Sequence, residues 1–281
     1  MNKRNLVFFL FLVLGLGLLN YPFVSQWVNR QSQSQVVYNH MGQTVQLSGA
    51  EKESMLRDAE AYNRALAQST QQITDGFSAP QDADSAYEDL LNPAGDGIMG
   101  YLEIPAIDVA LPIYHGTGTV ALENGVGHLV QSSLPVGGAD THAVLSAHTG
   151  LATKTLFTDL DQMKTGDVFY VHVLDTVLAY AVEDIETVLP HETDSLRIVP
   201  REDLVTLVTC TPYGINSHRL LVTGRRVALT QEEVHQMQTE TVQTGPWKWD
   251  RVVFWVSLAV LLISGILLLK PKRKGGKRNR E

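Results

Sequence analysis

Short apolar runs separated by turn residues occupy the second half of the chain. Val, Ile, Leu and Thr predominate within the runs and Gly, Pro, Asn and Asp lie between them, which is the pattern of strands joined by loops. We predict eight strands, at Met99–Ile104, Leu111–Ile113, His128–Gln131, Ala143–His148, Val168–Val173, Val177–Glu183, Val205–Thr209 and Arg219–Val227, and one short helix near Leu156–Met163. Eight short strands within roughly 130 residues indicate a mainly β fold that closes into a barrel.

A helical pattern precedes the strands. Ser48 and Glu51 have the spacing of a capping box, in which each side chain bonds the other residue's backbone N–H. Apolar residues then recur at helical intervals, at Met55, Ala59, Tyr62 and Leu66. We therefore predict an amphipathic helix over about Gly49–Gln68 that packs on the barrel.

The segment between this helix and the first strand is polar and irregular. It covers Ser69–Asp96 and contains Gly76, Pro80, Pro93 and several acidic residues. Loops of this length in compact domains are usually lids over a site or disordered linkers. The pattern predicts one of these two.

Both ends of the chain carry an apolar run. Leu6–Leu19 follows basic residues and matches a signal peptide, or an uncleaved signal anchor if it extends to Val24. Val252–Leu269 contains no charged residue and is about long enough to span a bilayer, and the tail after it is basic. Since basic flanks stay in the cytoplasm, we expect a cytoplasmic C-terminal tail and a central region outside the cell.

These patterns divide the chain into six predicted segments. They are a signal peptide or signal anchor (1–28), an N-terminal helix and lid region (29–94), a β-barrel (95–230), a juxtamembrane linker (231–251), a transmembrane helix (252–269) and a basic cytoplasmic tail (270–281).

The charge distribution restricts the possible partners of the central region. Nine of the 22 Lys and Arg residues lie at the two ends, whereas 29 of the 30 Asp and Glu residues lie between them. A strongly acidic region argues against a nucleic-acid partner, because binding to phosphates requires positive charge. We expect no nucleic acid among the partners.

The only cysteine lies in the run TLVTCTPYGINSHRLLV, at Cys210. The two strands of this run form a hairpin that places Cys210 and Arg219 at the same end of neighbouring strands. A thiol nucleophile in acyl transfer needs a proton shuttle and an oxyanion donor. Arg219 is a candidate donor, and His148, at the exit of the VLSAHTGL strand, is the best candidate shuttle.

Each of these residues also has a structural interpretation. A lone cysteine is more often a small buried apolar residue than a nucleophile, and a lone Arg or His is more often structural or exposed. Composition alone leaves the choice open.

Two other motifs do not indicate a cofactor or a metal. Gly95–Gly100 matches G-x-G-x-x-G, but it follows a loop and opens a strand, whereas a dinucleotide site follows a strand and opens a helix. His142 and His148 lack the neighbouring ligands of a zinc site. We expect neither a cofactor nor a metal.

Four stretches together resemble the class C, pilus-assembling sortases of Gram-positive bacteria. The resemblance runs in order over about 130 residues, which is more specific than any single motif. The stretches are GDGIMGYLEIPAIDVALPIYHGT (Gly95–Thr117), GVGHLVQSSLPVGG (Gly125–Gly138), VLSAHTGL (Val144–Leu151) and TLVTCTPYGINSHRLLVTGRR (Thr206–Arg226).

The resemblance implies an eight-stranded barrel with the active site at one mouth. It makes Cys210 the nucleophile, His148 the general acid and base, and Arg219 the group that holds the substrate and the oxyanion. Family members commonly have Gly before the catalytic His and Arg after it, where this chain has Ala147 and Thr149. Neither position is expected to take part in the chemistry.

The resemblance also implies a lid. Class C sortases carry an Asp-Pro-aromatic motif upstream of the barrel, whose Asp meets the catalytic Cys and Arg. Asp75, Gly76 and Phe77 occupy the matching place. Because Gly leaves the unbound loop freer than Pro does, we expect this lid to be held less firmly than in Pro-bearing relatives.

The function that the resemblance implies is a membrane-anchored cysteine transpeptidase. It would cleave an LPXTG-like sorting signal between Thr and Gly and join the acyl group to a Lys amine of a pilin. The partners would be pilins or surface proteins with such signals, and the bilayer. Two alternatives remain, a housekeeping sortase that attaches proteins to the cell wall, and an inactive binding barrel.

Overall fold

The computed structural model describes residues 3–69, 73–77, 85–151, 153–229, 255–257, 259–260 and 263–264. The chain divides into two compact units, one made of Met1–Trp27 with Pro246–Glu281 and the other of Val28–Gly245. The second unit contains all the strands and the site described below.

Eight strands form a closed barrel in the order β1-β2-β3-β4-β7-β8-β6-β5. The pairs β2–β3 and β4–β7 are parallel, and the other neighbours are antiparallel. The strands are β1 (Ile98–Ile104), β2 (Val109–His115), β3 (Val126–His128), β4 (Thr141–Ser146), β5 (Val168–Val173), β6 (Thr176–Val188), β7 (Asp203–Thr211) and β8 (His218–Val227). The predicted closed β-barrel is confirmed.

Several strand ends differ from the prediction. β3 begins two residues earlier than expected and ends at His128, because Gly127 and His128 pair with Ser146 and Leu145 of β4. β4 ends at Ser146, so His148 lies in the loop beyond it. β7 continues through Cys210 to Thr211, which places the thiol inside the strand.

The predicted helix near Leu156–Met163 does not form, and only a 3₁₀ turn at Leu160–Gln162 is present. Leu156 has a φ of +43°, which ends any helix there. Leu156, Phe157, Leu160 and Met163 are nevertheless all buried in the main core. The segment is apolar because it fills the core, and it does so without forming a helix.

The described residues include the helices α1 (Lys3–Gln46), α2 (Gly49–Ala67), α3 (Ser85–Glu88) and α4 (Thr119–Asn124), and further 3₁₀ turns at Pro105–Ile107 and Asp194–Leu196. α2 agrees with the prediction, and its capping box is present. The Asn63 side chain bonds both the backbone N–H and the carbonyl of Leu134, at 2.7 and 3.0 Å. These bonds and the burial of Ala59 pack α2 on the barrel.

α1 extends well beyond the apolar run that the sequence singled out, Leu6–Leu19. Within its second half Val37, His40 and Thr44 are buried, at helical spacing. Two of these three side chains are polar, so the sequence shows no apolar stripe there. Packing against the rest of the unit, and not hydrophobic periodicity, explains this part of the helix.

Within the described residues no single helix is both long and apolar enough to cross a membrane. Phe9–Pro22 and Val24–Gln46, bent by 42° from each other, meet the length and composition criteria as a pair. The predicted linker (231–251) and tail (270–281) lie outside the described residues, as does most of the predicted transmembrane helix (252–269). These anchors remain predictions.

Candidate active site

The β7–β8 hairpin brings Cys210 and Arg219 together. The two residues are direct partners in the antiparallel register. Directly opposed residues have Cβ atoms about 4.5–5.5 Å apart, so thiol and guanidinium can meet one substrate carbonyl. Both residues are buried in this structure.

His148 reaches the same end of the barrel through the parallel pair β4–β7. The last strand pair is Ser146 with Val208, and Ala147 N–H then donates to the Val208 carbonyl at 3.1 Å. The Phe157 N–H donates to the carbonyl of His148 at 3.1 Å. Parallel strands end at the same edge, which explains why His148 and Cys210 lie at one mouth.

Asp75 forms a two-pronged ion pair with Arg219. Arg219 Nε donates to Asp75 Oδ1 at 2.9 Å and Nη2 donates to Oδ2 at 2.6 Å, a geometry that makes a strong charge-assisted contact. The side chains of Asp75 and Arg219 are only 7% and 9% exposed. Arg219 Nη1 also donates to the carbonyls of Asn216 and His218, at 3.2 and 3.1 Å.

The Phe77 ring contacts both His148 and Arg219. Its ring centroid is 5.7 Å from that of His148 and 5.2 Å from Cζ of Arg219, which is within the range of a cation–π contact. The described part of the upstream loop, residues 73–77, is called the lid segment below. It contacts Arg219 and His148 at once.

Ile73 anchors the other end of the lid segment. Its side chain is 7% exposed and packs in a cluster separate from the main core, with Leu129, Val144, Leu196, Val208 and Leu221. Thr193 Oγ1 donates to the Ile73 carbonyl at 2.9 Å. The cluster combines the barrel wall with the β6–β7 loop, so the lid segment lies in a groove between them.

Gly76 lies close to the barrel. A Cβ atom at this position would be 2.8 Å from Cδ1 of Leu129 and 2.9 Å from Cγ2 of Thr117. Both neighbours are buried. The absence of a side chain at position 76 therefore allows the lid segment to approach this closely.

Comparison with known proteins shows to which family this chain belongs. Residues 102–227 match the model of the sortase domain family. The crystal structure of sortase C-1 from Actinomyces oris is 51% identical, with a TM-score of 0.61 over 64% of this chain and 99% of that one. This chain belongs to the sortase family. A sortase C structure from Streptococcus pneumoniae is 46% identical, with a TM-score of 0.66 over 70% of this chain and 98% of that one.

The curated relatives match over a shorter range. Sortase A of Streptococcus agalactiae is 32% identical over 117 residues, which is 41% of this chain and 47% of that protein. Sortase D of Bacillus subtilis is 30% identical over 131 residues, which is 46% of this chain and 63% of that protein. The match thus spans about half to two thirds of these proteins. The solved structures similar over nearly their full length are class C sortases, an enzyme family of cysteine transpeptidases.

The surroundings shift the protonation of all three polar groups in the sortase site. Burial raises the pKa of Cys210, Arg219 opposes this and Asp75 adds to it. Burial lowers the pKa of His148, and the charge of Glu123 partly offsets it. Burial also disfavours the charge on Arg219, but its hydrogen bonds to Asp75 and the charges of Cys210 and Asp75 outweigh this effect and raise its pKa. With the lid segment in place, the neutral thiol and neutral imidazole are therefore favoured.

His142, the other histidine considered in the sequence analysis, has structural partners. Both ring nitrogens of His142 are engaged, Nδ1 with the Arg197 carbonyl at 2.8 Å and Nε2 with Thr206 Oγ1 at 2.7 Å. His142 is buried at the far end of β4 from His148. The Gly95–Gly100 motif opens β1, as the sequence indicated.

Thr209 is a residue of the site that the sequence analysis missed. Its buried hydroxyl donates to the carbonyl of Ala147 at 2.7 Å, which links the residue before Cys210 to the residue before His148. A Thr in a strand is ordinary, so only the contact across β4 and β7 shows this role. Val208, the residue before Thr209, also accepts the backbone hydrogen bond from Ala147 that is described above.

We expect Thr209→Val to lower kcat by about tenfold or more, because a loosened His148 loop misplaces the proton shuttle. Thr209→Ser, which keeps the hydroxyl, should restore most of the rate. Thr206→Val is the matched control, since Thr206 is also buried in β7 but bonds His142 and Thr223 away from the site. It should lower the melting temperature and leave kcat nearly unchanged. Equal kcat in the two Val variants would exclude a positioning role for Thr209.

Proposed function

We propose that this protein is a class C sortase that acts as a cysteine transpeptidase on LPXTG-like sorting signals and joins them to a lysine amine of a pilin. The observation that carries the proposal is the site itself. Cys210 and Arg219 are paired across one hairpin, and the lid segment contacts Arg219 and His148. The similarity to sortase C structures supports the class.

In the first half-reaction the Cys210 thiolate attacks the carbonyl carbon of the substrate Thr. Arg219 lies opposite Cys210 and would stabilise the negative charge on the carbonyl oxygen. The bond from Thr to Gly then breaks, and the imidazolium of His148 donates its proton to the departing Gly amine. The product is a thioester on Cys210.

In the second half-reaction a neutral lysine amine attacks the thioester. His148, now neutral, takes the proton that the amine loses, and the Cys210 thiolate leaves. An isopeptide bond results, and the thiolate and the imidazolium are restored. No oxidant, metal or cofactor is needed to balance these steps.

Asp75 and the substrate compete for Arg219 in this scheme. While Arg219 is bound by Asp75, its Nε proton and one Nη2 proton are engaged, and the carboxylate lies where a substrate oxyanion would have to approach that edge of the guanidinium. The lid segment must therefore move before acylation. We also propose that the protein is membrane-anchored with the barrel outside the cell, as sortases generally are, so that enzyme and substrates meet at one membrane face.

Intact mass spectrometry tests the proposal. The full chain is mixed with a Leu-Pro-X-Thr-Gly peptide, and Cys210 should gain the mass of the peptide's acyl part as the Gly-containing fragment is released. A scrambled peptide of equal composition is the control. Absence of the adduct in both the wild type and an Asp75→Ala variant, whose lid is released, would show that the function is wrong.

A further inference from the structure

The residues of α1 from Val28 onward belong to the same compact unit as the barrel. The first partly buried side chains of this part of the helix are polar, at Asn29, Arg30 and Gln33. Arg30 Nη1 pairs with Asp108 Oδ2 at 3.1 Å, which ties the helix to the residue before β2. Since these side chains are polar, hydrogen bonds and not an apolar stripe define where the helix lies.

Asn29 bonds the loop that carries His148. Its Nδ2 donates to the carbonyl of Thr153 at 2.9 Å, across 124 positions of the chain. The base of the same loop is closed separately, because the Gly150 N–H donates to Thr158 Oγ1 at 3.2 Å. The barrel therefore holds the base of the loop, and α1 holds its middle.

α4 completes a junction between α1 and this loop. Lys154 Nζ donates to the Glu123 carbonyl and, at 3.2 Å, to Asn124 Oδ1. Gln33 Nε2 of α1 donates to the carbonyl of Asn124 at 3.4 Å. Each of the three segments therefore bonds the other two. The residues of this three-way junction are Asn29, Gln33, Glu123, Asn124, Thr153 and Lys154.

The path of the loop sets both the position and the charge state of His148. A proton shuttle works only within hydrogen-bond reach of the group that it serves, so a displaced loop lowers the rate. Burial lowers the pKa of His148, and the charge of Glu123 partly offsets this effect. A loop that is released from the junction would expose the imidazole to water and remove part of the burial effect.

We propose that Asn29 is a positioning residue for the transfer reaction, and that it acts by holding the Thr153 carbonyl and with it the His148 loop. This inference rests on the proposed transpeptidase function. Asn29 itself contacts neither the thiol nor the guanidinium of the site in this arrangement, because its bond is to the backbone of the loop. It also lies upstream of residues 102–227, the part of the chain that matches the sortase family.

The test measures thioester formation with a Leu-Pro-X-Thr-Gly peptide in the full chain, over a range of peptide concentrations and pH. Asn29→Ala should lower kcat by about tenfold and leave the KM of the peptide nearly unchanged, because only the shuttle is misplaced. The limb of the kcat profile that follows His148 should move to higher pH, since the imidazole loses part of the burial that lowers its pKa. Asn29→Gln, which keeps an amide donor, should restore most of the rate.

Asn39→Ala is the matched control. Asn39 is an exposed residue of the same helix, and its Oδ1 accepts a bond from Gln35 within α1. This variant should leave kcat and the pH profile unchanged, and the melting temperatures of both Ala variants show whether each is folded. Alanine is the best helix former, so neither substitution should break α1.

Three results would overturn the proposal. They are an unchanged kcat in Asn29→Ala, a loss of rate equal to that in Asn39→Ala, and a loss that Asn29→Gln does not restore. A lower kcat with an unshifted pH profile would also overturn it, because His148 would then not be the group affected. A wild type that forms no thioester would instead contradict the proposed function, which keeps the two failures distinct.

Discussion

Replacing Cys210 with alanine is expected to abolish thioester formation with a sorting-signal peptide and leave the barrel folded. The alanine keeps the Cβ atom in β7 and all the backbone pairing with β8, and only the sulfur is lost. In the proposed reaction the thiolate is the nucleophile, and no other described group of the site can replace it. Intact mass spectrometry and thermal unfolding of the same sample measure both effects, and acyl transfer at the wild-type rate would contradict the mechanism.

The two partners of Cys210 should each contribute strongly. His148→Ala and Arg219→Ala should lower the rate by at least about a hundredfold, which is the usual effect of removing a general acid or an oxyanion donor. His142→Ala provides a control histidine, since it should lower stability by removing the ring that bonds the Arg197 carbonyl and Thr206 Oγ1. If loss of His142 or His218 were fatal to catalysis and His148 dispensable, the assignment of the shuttle would be wrong.

Release of the lid segment should produce the second large effect. The double variant Asp75→Ala with Phe77→Ala should react with a small thiol reagent at Cys210 at least about tenfold faster than the wild type, because it removes the ion pair and the ring that cover the site. Ile73→Ala should also accelerate labelling, since it leaves a cavity in the apolar cluster that holds the lid segment. Equal rates in all these proteins would mean that the segment does not control access.

The pH dependence of labelling distinguishes access from charge. Asp75 raises the pKa of Cys210 in the closed state, so its removal should lower that pKa and move the rise of the labelling rate to lower pH. Ile73→Ala leaves the Asp75 carboxylate in the chain and should change the rate with a smaller shift along the pH axis. An identical shift in both variants would contradict this separation.

For Gly76→Pro, the structure leads to the opposite expectation from the sequence. The resemblance to the Asp-Pro-aromatic motif predicts a tighter lid in this variant, because Pro lowers the entropy of the unbound loop. In the structure any Cβ at position 76 comes within 2.8 Å of Leu129 and 2.9 Å of Thr117, so we expect the variant to loosen the lid. Gly76→Ala is the matched control, because it adds the Cβ without the ring. Slower labelling in Gly76→Pro than in the wild type would show that loop entropy outweighs this contact.

The barrel and the catalytic hairpin were largely predictable from the sequence. Apolar runs with turn residues between them are local signals, and they identified eight strands that the structure contains. The same signals placed Cys210 and Arg219 at the same end of neighbouring strands, because two strands that follow each other in the chain can pair as a hairpin. The capping box of α2 is similarly local, since both of its residues lie within one turn.

Other features depend on groups that are far apart in the chain. The length of the upstream loop left a lid or a linker as alternatives. Residues 73–77 carry no pattern that points to Arg219, and the ion pair joins residues 144 positions apart, so only family resemblance indicated this contact. The packing of Ile73 and the Thr209 contact with Ala147 likewise join segments that are far apart in the chain. The sequence alone determined which residues can form strands and carry the chemistry. The tertiary structure decided which of them meet, because those contacts exist only after distant segments are brought together.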